Sequence, residues 1–477
     1  MAGTSTREGR LVIAVAVLAS LVVFLDGTIV NVALPQLLLQ FGGGLAFQQW
    51  VVDGYTLTVA AFILIAGALS DSLGRLTILR IGLIGFGVTS LLCAVSPTGE
   101  LLIAFRAAQG LAGALLVPSS LALLASKYRG PVQTRAIGLW SAWTSAAFIA
   151  GPPLGGLLVD TVGWRWVFGI NLPVVAVTLL AASRLHLPST EARGRKIDVL
   201  GAFLAAAGLG GLVFALIEQG RLGWGDPFVL TFGAIGIAAL TAYVLWERKA
   251  TSPMMPLDLF RARNFSVGNA TTFLVWGALW LGVFIVPVFL QQVAGFSGLV
   301  AGLATAPMTV ISLLISSRVG TLAGRFGPRW FIAVGPLIAA AGYLWMLTVR
   351  EPVNIWLGVI PGVLLAGTGI AITSTPISSA VLSAINAEQA GIGSAVNNAV
   401  ARVAGLVAIA IVGSITGARL DLAGFHRVVI VVAIIMIAGA VLSGTLLRNP
   451  KPDMTLDPLP VDSNAARRPV ANKPEGA

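Results

Sequence analysis

The sequence predicts an all-α polytopic membrane protein that crosses the bilayer fourteen times. Three observations carry that reading: an extreme composition, a series of long apolar runs, and a one-sided distribution of basic residues. Of 477 residues, 57% are hydrophobic and 10% charged, against roughly 45–50% and 25% in a typical soluble domain. A soluble protein that apolar would lack a polar surface. The 56 glycines suit close-packed membrane helices, because small residues let backbones approach.

Only helices and closed barrels satisfy their backbone in hydrocarbon, and a helix needs about 20 apolar residues to cross it. Strand-like alternation is absent and the runs are too long for strands, so they read as helices. The fourteen spans cover about 11–35, 47–69, 76–95, 99–126, 134–158, 165–183, 198–219, 228–247, 267–291, 297–317, 329–348, 354–382, 391–417 and 425–447. The first run is too long, and too well followed by others, to be a cleaved signal peptide. Residues 449–477 are polar and without periodicity, which predicts a disordered tail.

Sidedness follows from the basic residues in short loops. With the N-terminus placed inside, the inner segments hold 23 of the 30 Lys and Arg residues, the outer segments hold five, and Arg106 and Arg402 fall within spans. Both termini are therefore expected in the cytoplasm. The net charge of +11 is accounted for by topology and contact with anionic lipid, so no nucleic-acid partner is called for. The predominance of arginine over lysine (25 against 5) points to a high-GC bacterium, and so to a bacterial inner membrane. Cys93 is the single cysteine, which rules out disulfides and cysteine-based metal sites, and His186 and His426 lie too far apart to suggest a metal or a triad.

A loop motif after the second span, Gly67-Ala-Leu69-Ser-Asp71-Ser-Leu-Gly74-Arg75, returns in degenerate form as Gly320-Thr-Leu322-Ala-Gly324-Arg325-Phe-Gly327. The offset of 253 residues also brings Gly138 onto Gly391 and Ser141 onto Ser394. Duplicated halves are a signature of secondary transporters. Two copies of six spans with two more inserted between them account for fourteen.

Four stretches carry a family resemblance: Leu25 to Pro35 in the first span, Gly67 to Arg75 in the loop, Arg106 to Gly110 with Gly113 in the fourth span, and Ala150 to Gly156 in the fifth. Trp164-Arg165-Trp166, Asn171 and Pro173 add to them. Together, in this order, they resemble the major facilitator superfamily and specifically its fourteen-span drug:proton antiporter branch, over about residues 10–448. Ala147 departs from that branch, whose fifth-span motif usually opens with Gly. The resemblance implies a short N-terminus (1–10), a six-helix bundle (11–184), two linker helices (185–250), a second six-helix bundle (251–448) and a tail (449–477). It further implies a monomeric, proton-coupled exporter of small lipophilic or cationic drugs, driven by the proton gradient without a cofactor. The alternative within the same fold is a dedicated exporter of a lipid, siderophore or endogenous metabolite. Uptake of nutrients is disfavoured by the fifth-span glycines and prolines. An enzyme or ATP-driven pump is disfavoured because the chain shows neither a Walker motif nor a nucleophile–base set.

Ionisable groups inside the bilayer are costly and are functional candidates by default. At about 1.5 Å per residue, Asp26, Asp53 and Arg106 lie at depths of about 13, 9 and 10 Å. A carboxylate held between burial and a nearby guanidinium can titrate in the physiological range. The proton-coupling set is thus Asp26, Asp53 and Arg106, with Asp26 and Asp53 competing to carry the proton and a static buried ion pair as the bland alternative. Gly67, Asp71, Gly74 and Arg75 match a conformational latch, which the resemblance assigns to the outward-open state. Gly151, Pro152, Pro153, Gly155 and Gly156 mark a hinge or a tight helix crossing, which the resemblance links to sealing the proton path. Phe273, Trp276, Trp280 and Phe284 share one face of the ninth span; they line either lipid and packing surfaces or a binding wall. Gln109, Asn397, Asn398 and Arg402 are the polar groups expected to line the same cavity with Phe273, Trp276 and Trp280. The ninth to fourteenth spans contain no carboxylate.

Overall fold

The computed structural model describes residues 6–185, 198–250, 253–386, 389–417 and 420–449. His186, Arg193, Arg195, Lys196, Arg419 and the tail from residue 450 onward lie outside the described residues. Thirteen helices are long and apolar enough to span a membrane, and a bent helix completes fourteen. In chain order they are α1 (Arg7–Phe41), α2 (Gly44–Leu73), α3 (Arg75–Ala94), α4 (Gly99–Lys127), α5 (Gly130–Thr161), α6 (Arg165–Ser183), α7 (Val199–Leu222) and α8 (Pro227–Glu247). The second half adds α9 (Arg263–Gln292), α10 (Gly298–Phe326), α11 (Arg329–Thr348), α12 (Ile355–Leu382), α13 (Gly391–Thr416) and α14 (Leu422–Leu446). The bent helix is α2, which turns by 53° between Gly44–Ile63 and Ile65–Leu73.

The apolar runs become helices because hydrocarbon offers their backbone no other partner. Their ends are marked by side-chain caps that satisfy the first orphan N–H groups. Thr6 accepts from the Gly9 amide at 3.1 Å, Asp198 from Gly201 at 2.8 Å, Asp226 from Phe228 at 2.8 Å, and Ser297 from Val300 at 3.3 Å.

Helices α1 to α6 pack mutually as one bundle and α9 to α14 as another. The α7–α8 pair lies beside them, with α7 packed on both α2 and α13. The internal repeat is visible in the backbone: Gly74 and Gly327, one repeat apart, both adopt positive φ (93° and 85°) between consecutive helices. Each loop is also tied down by an arginine. Arg80 donates to the Ala182 carbonyl of α6 at 2.5 Å, and Arg329 donates to the Gly444 carbonyl of α14 at 2.9 Å.

An even number of spans puts the start of α1 and the end of α14 on one face, the terminal face. The two bundles are sealed together at the opposite face. There α5 and α10 cross backbone to backbone: a Cβ on Gly156 would fall 2.2 Å from the Gly298 carbonyl oxygen, and one on Gly302 would fall 2.2 Å from that of Pro152. Gly151 and Gly155 face the other way, onto Thr28 and Ile29 of α1. The fifth-span motif is therefore a two-sided close crossing within one continuous helix.

Asp160, one turn beyond Gly156, locks this crossing. Its carboxylate accepts from the Gly298 amide at 3.0 Å and the Leu299 amide at 2.8 Å, capping α10 from across the bundle interface. A carboxylate is favoured at a helix N-terminus because it meets both unpaired N–H groups and the positive dipole end. Gln49 of α2 makes the matching tie to α13, donating to the carbonyls of Ile409 at 2.6 Å and Ala410 at 2.9 Å.

In a Cys93→Ser background, cysteines at Gly225 and Glu351 should react with an impermeant reagent from the same side of the membrane. A cysteine at Lys249 should react only once the membrane is permeabilised. The reverse pattern would invert the cytoplasmic assignment of the terminal face. Gly156→Val should also block closure of the opposite face, because Cβ cannot displace backbone. Spin labels at Val162 and Val300 should then move apart and transport should fall by roughly tenfold or more, equivalent to about 1.4 kcal/mol of population shift. Gly138→Ala, whose Cβ meets nothing within 4 Å, should leave both unchanged.

Candidate functional site

Asp26 and Arg106 form a buried ion pair, with Arg106 Nη1 donating to Asp26 Oδ2 at 2.5 Å. Depth along α1 and α4 brought the two groups level in the sequence; the packing of those helices brings them into contact. Three further helices complete the surroundings. Gln109, one turn on from Arg106, donates to Asp26 Oδ1 at 3.1 Å and accepts from Arg106 Nη1 at 2.6 Å. Asn171 of α6 donates to the same Asp26 oxygen at 2.9 Å. Ser90 of α3 accepts from Gln109 at 2.8 Å and from Asn171 at 3.3 Å. Arg106 Nε donates to the Val51 carbonyl of α2 at 3.1 Å, and its guanidinium lies 4.2 Å from the ring centre of Tyr55.

The carboxylate is thus held by three donors from two helices, and the guanidinium by a carboxylate, an amide, a carbonyl and a ring. A buried pair repays its desolvation only with such additional bonds, and removing one partner costs about 3–5 kcal/mol. Gln109, expected on a substrate cavity wall, is fully buried inside this network. It sets the geometry of the pair because its one amide can both accept from arginine and donate to carboxylate.

Asp53 does not join the pair. It is buried, and neither carboxylate oxygen has a hydrogen-bond partner among the described residues. Helical periodicity explains the separation. Val51 and Tyr55 face α1 and α4, whereas Asp53 lies one turn from both Gln49 and Leu57, on the side of α2 turned toward α13 and α7. Similar depth placed three ionisable groups together in the sequence; azimuth places only two of them together in space.

At the loop motif, Asp71 is half exposed and pairs with Arg75 of the same loop at 3.4 Å. Gly74 supplies the left-handed turn between them that an L side chain would strain, and Gly67 lies just beyond the bend of α2. An exposed pair four residues apart contributes only about 0.3–0.5 kcal/mol, so this contact is easily exchanged for another.

The residues expected to line a cavity separate. Asn397 donates to Asn269 at 3.1 Å and to Thr272 at 2.9 Å, both on α9, and so fastens α13 to α9. Asn398 is exposed and bonds the Ser394 carbonyl of its own helix at 3.0 Å. Phe284 is buried in the core, Trp276 is packed against it, and Phe273 is exposed. The ninth-span stripe is therefore not one continuous wall. Trp280 reaches the bundle interface, where its ring centre lies 6.2 Å from that of Phe148 on α5. Arg402 of α13 is partly buried and has neither a hydrogen bond nor an ion pair among the described residues. Glu218 of α7 pairs with Arg221 at 2.9 Å and accepts from Trp50 at 2.9 Å.

Four contributors were not singled out from the sequence. Asn171 was visible only as part of a motif match, and Tyr55 and Ser90 carried no signal. Asp160 could have been found from its charge at a span end one turn after Gly156.

A family model described as Major Facilitator Superfamily matches residues 16–409. The chain is 36% identical to the Multidrug resistance protein Stp of Mycobacterium tuberculosis over 84% of this chain and 74% of that protein. It is 34% identical to the Methylenomycin A resistance protein of Bacillus subtilis, covering 86% and 88%, and 29% identical to the Multidrug export protein EmrB of Escherichia coli, covering 85% and 80%. In fold it resembles the crystal structure of a D-xylose-proton symporter (TM-score 0.66, 14% identity, 93% of this chain and 98% of the other). It likewise resembles an inward-facing bacterial homologue of the lysosomal transporter Spinster (TM-score 0.64, 15% identity, 94% and 100%). With a matching family model over most of its length and relatives above 30% identity, the chain belongs to the Major Facilitator Superfamily and is a membrane transporter.

Proposed function

We propose that the protein exports lipophilic drugs or antibiotics across a bacterial inner membrane in exchange for protons, with the terminal face in the cytoplasm. The observation that carries the reading is the Asp26–Arg106 pair, sealed within one bundle and held by Gln109 and Asn171. The names of the similar proteins, which speak of multidrug and antibiotic resistance and of export, support the direction of transport.

The physical logic is a linkage. Protonation of Asp26 removes the charge that holds Arg106, so the contacts joining α1, α3, α4 and α6 rearrange with proton occupancy. Any conformational change that alters the Asp26–Arg106 separation must then change proton affinity, and the coupling is reciprocal. Closure opposite the termini, by Asp160 and the α5–α10 crossing, suits the state that faces the cytoplasm. In this state Asp71 is free of any cross-bundle role, as a latch of the opposite state should be.

A second reading moves the proton to Asp53. Its favouring observation is specific: both oxygens are buried without partners. A charge left so costs free energy, and a proton is the simplest partner for it.

Drug-induced proton release from purified protein separates the two readings. Asp26→Asn should abolish release and gradient-driven efflux, while Asp53→Asn should reduce efflux in part. Release lost in Asp53→Asn and kept in Asp26→Asn would give the proton to Asp53. Release kept in both would remove coupling from this half of the molecule. Independently, Asp71→Ala should slow transport several-fold with equilibrium drug binding unchanged. A wild-type transport rate would reduce the loop to a topology signal.

A further inference from the structure

We infer that Arg402 is the charge-selecting residue of the substrate site, and that the site takes lipophilic aromatic anions in preference to cations. This rests on the export reading above and names its substrate class.

The inference begins with an inventory of charge between the bundles. Asp26 is sealed and carries three donors, so it offers a cationic substrate nothing. Asp53 is fully buried on α2. Glu218 is occupied by Arg221 and Trp50. Helices α9 to α14 contribute no carboxylate at all. On the cationic side, Arg106 is spent on Asp26, whereas Arg402, midway along α13, has no ion pair among the described residues.

Its position places it toward the other bundle. Ile409 and Ala410, whose carbonyls accept from Gln49 of α2, follow Arg402 by two helical turns, so Arg402 lies on the same side of α13. The opposite side of α13 is taken up by α9 through Asn397.

An aromatic surface lies about one turn along α13 from Arg402. Gly405, three residues on from Arg402, lets the Trp280 indole lie against α13, since a Cβ there would fall 2.7 Å from Trp280 Cδ1. Phe148 extends that surface from α5. A planar guanidinium with five donors recognises carboxylates and related oxyanions in a bidentate manner. Beside it, rings bind flat apolar bodies without fixed hydrogen bonds. The combination fits an aromatic body that carries one acidic group, and it repels an aromatic cation by like charge.

The test uses full-length protein in nanodiscs with no gradient, read by tryptophan fluorescence quenching. Three probes share the anthracene body and differ chiefly in charge: anthracene carboxylate, anthracene carboxamide and an anthracene bearing a trimethylammoniomethyl group. Wild-type protein should bind the carboxylate at least about tenfold tighter than the cation. Arg402→Gln should erase that preference by weakening the carboxylate about tenfold, equivalent to about 1.4 kcal/mol, and leave the carboxamide within about twofold. Arg402→Lys should keep the charge preference with weaker binding, because it retains the charge and loses the fork. The inference is overturned if wild-type protein prefers the cation, if Arg402→Gln weakens carboxylate and carboxamide equally, or if no probe binds. Charge-selective binding without drug-induced proton release would instead sink the coupling reading and leave the role of Arg402 standing.

Discussion

A carboxylate placed inside an apolar bundle has to find its partners within the protein, and Asp26 finds them on α4 and α6. That one requirement fixes how four helices of the first bundle meet. Arg106 must reach α1, Gln109 must sit between the two charges, Asn171 must approach from α6, and Ser90 of α3 must accept what remains. Arg106 then spends its Nε on the Val51 carbonyl and its flat face on Tyr55, which ties α2 to the same centre. The pair is not simply a stabilising contact, because buried ion pairs repay their desolvation only when every neighbour is in place. It is better seen as a register mark that makes one arrangement of these helices much better than its alternatives.

The rest of the molecule is organised by how closely backbones can come together. Helix α5 carries glycines on two sides. Gly151 and Gly155 seat it on α1 within its own bundle, and Gly156 seats it on α10 of the other. With no hydrophobic driving force between helices in lipid, such contacts work through dispersion and geometry alone. The crossing is completed by a polar lock, the Asp160 carboxylate on the start of α10. The closed face therefore combines one contact that admits no Cβ with one that depends on a charge. The loop motif at the terminal face uses the same chemistry, a carboxylate near helix ends, but there Asp71 is paired only within its own loop. The two faces of one transporter thus present a carboxylate engaged across the interface and one paired within its own loop.

Arg402 completes this account from the second bundle. The Asp26–Arg106 pair of the first bundle is matched so thoroughly that it offers a ligand little, while the spans of the second bundle carry no acid and bring in Arg402 a guanidinium with no ion pair among the described residues. On the reading proposed above, proton handling and ligand handling are divided between the two halves.

The number of spans, their order, the repeat and the depth of each polar residue were legible in the sequence, because hydrocarbon thickness and the rise per residue are fixed quantities. The pairing of Asp26 with Arg106 was half legible for the same reason. What depth could not tell was azimuth. Asp53 shares the level of that pair yet looks toward α13 and α7, Gln109 turns inward to the carboxylate, and Asn397 turns to α9. Asp160 found its role only when α10, 138 residues further along the chain, arrived beneath it. The sequence by itself determined how many helices there are and how far along each one a group lies. Only the tertiary structure decided which helix each side of each helix meets, because that depends on side chains distant in the chain and not on the local periodicity that makes the helix.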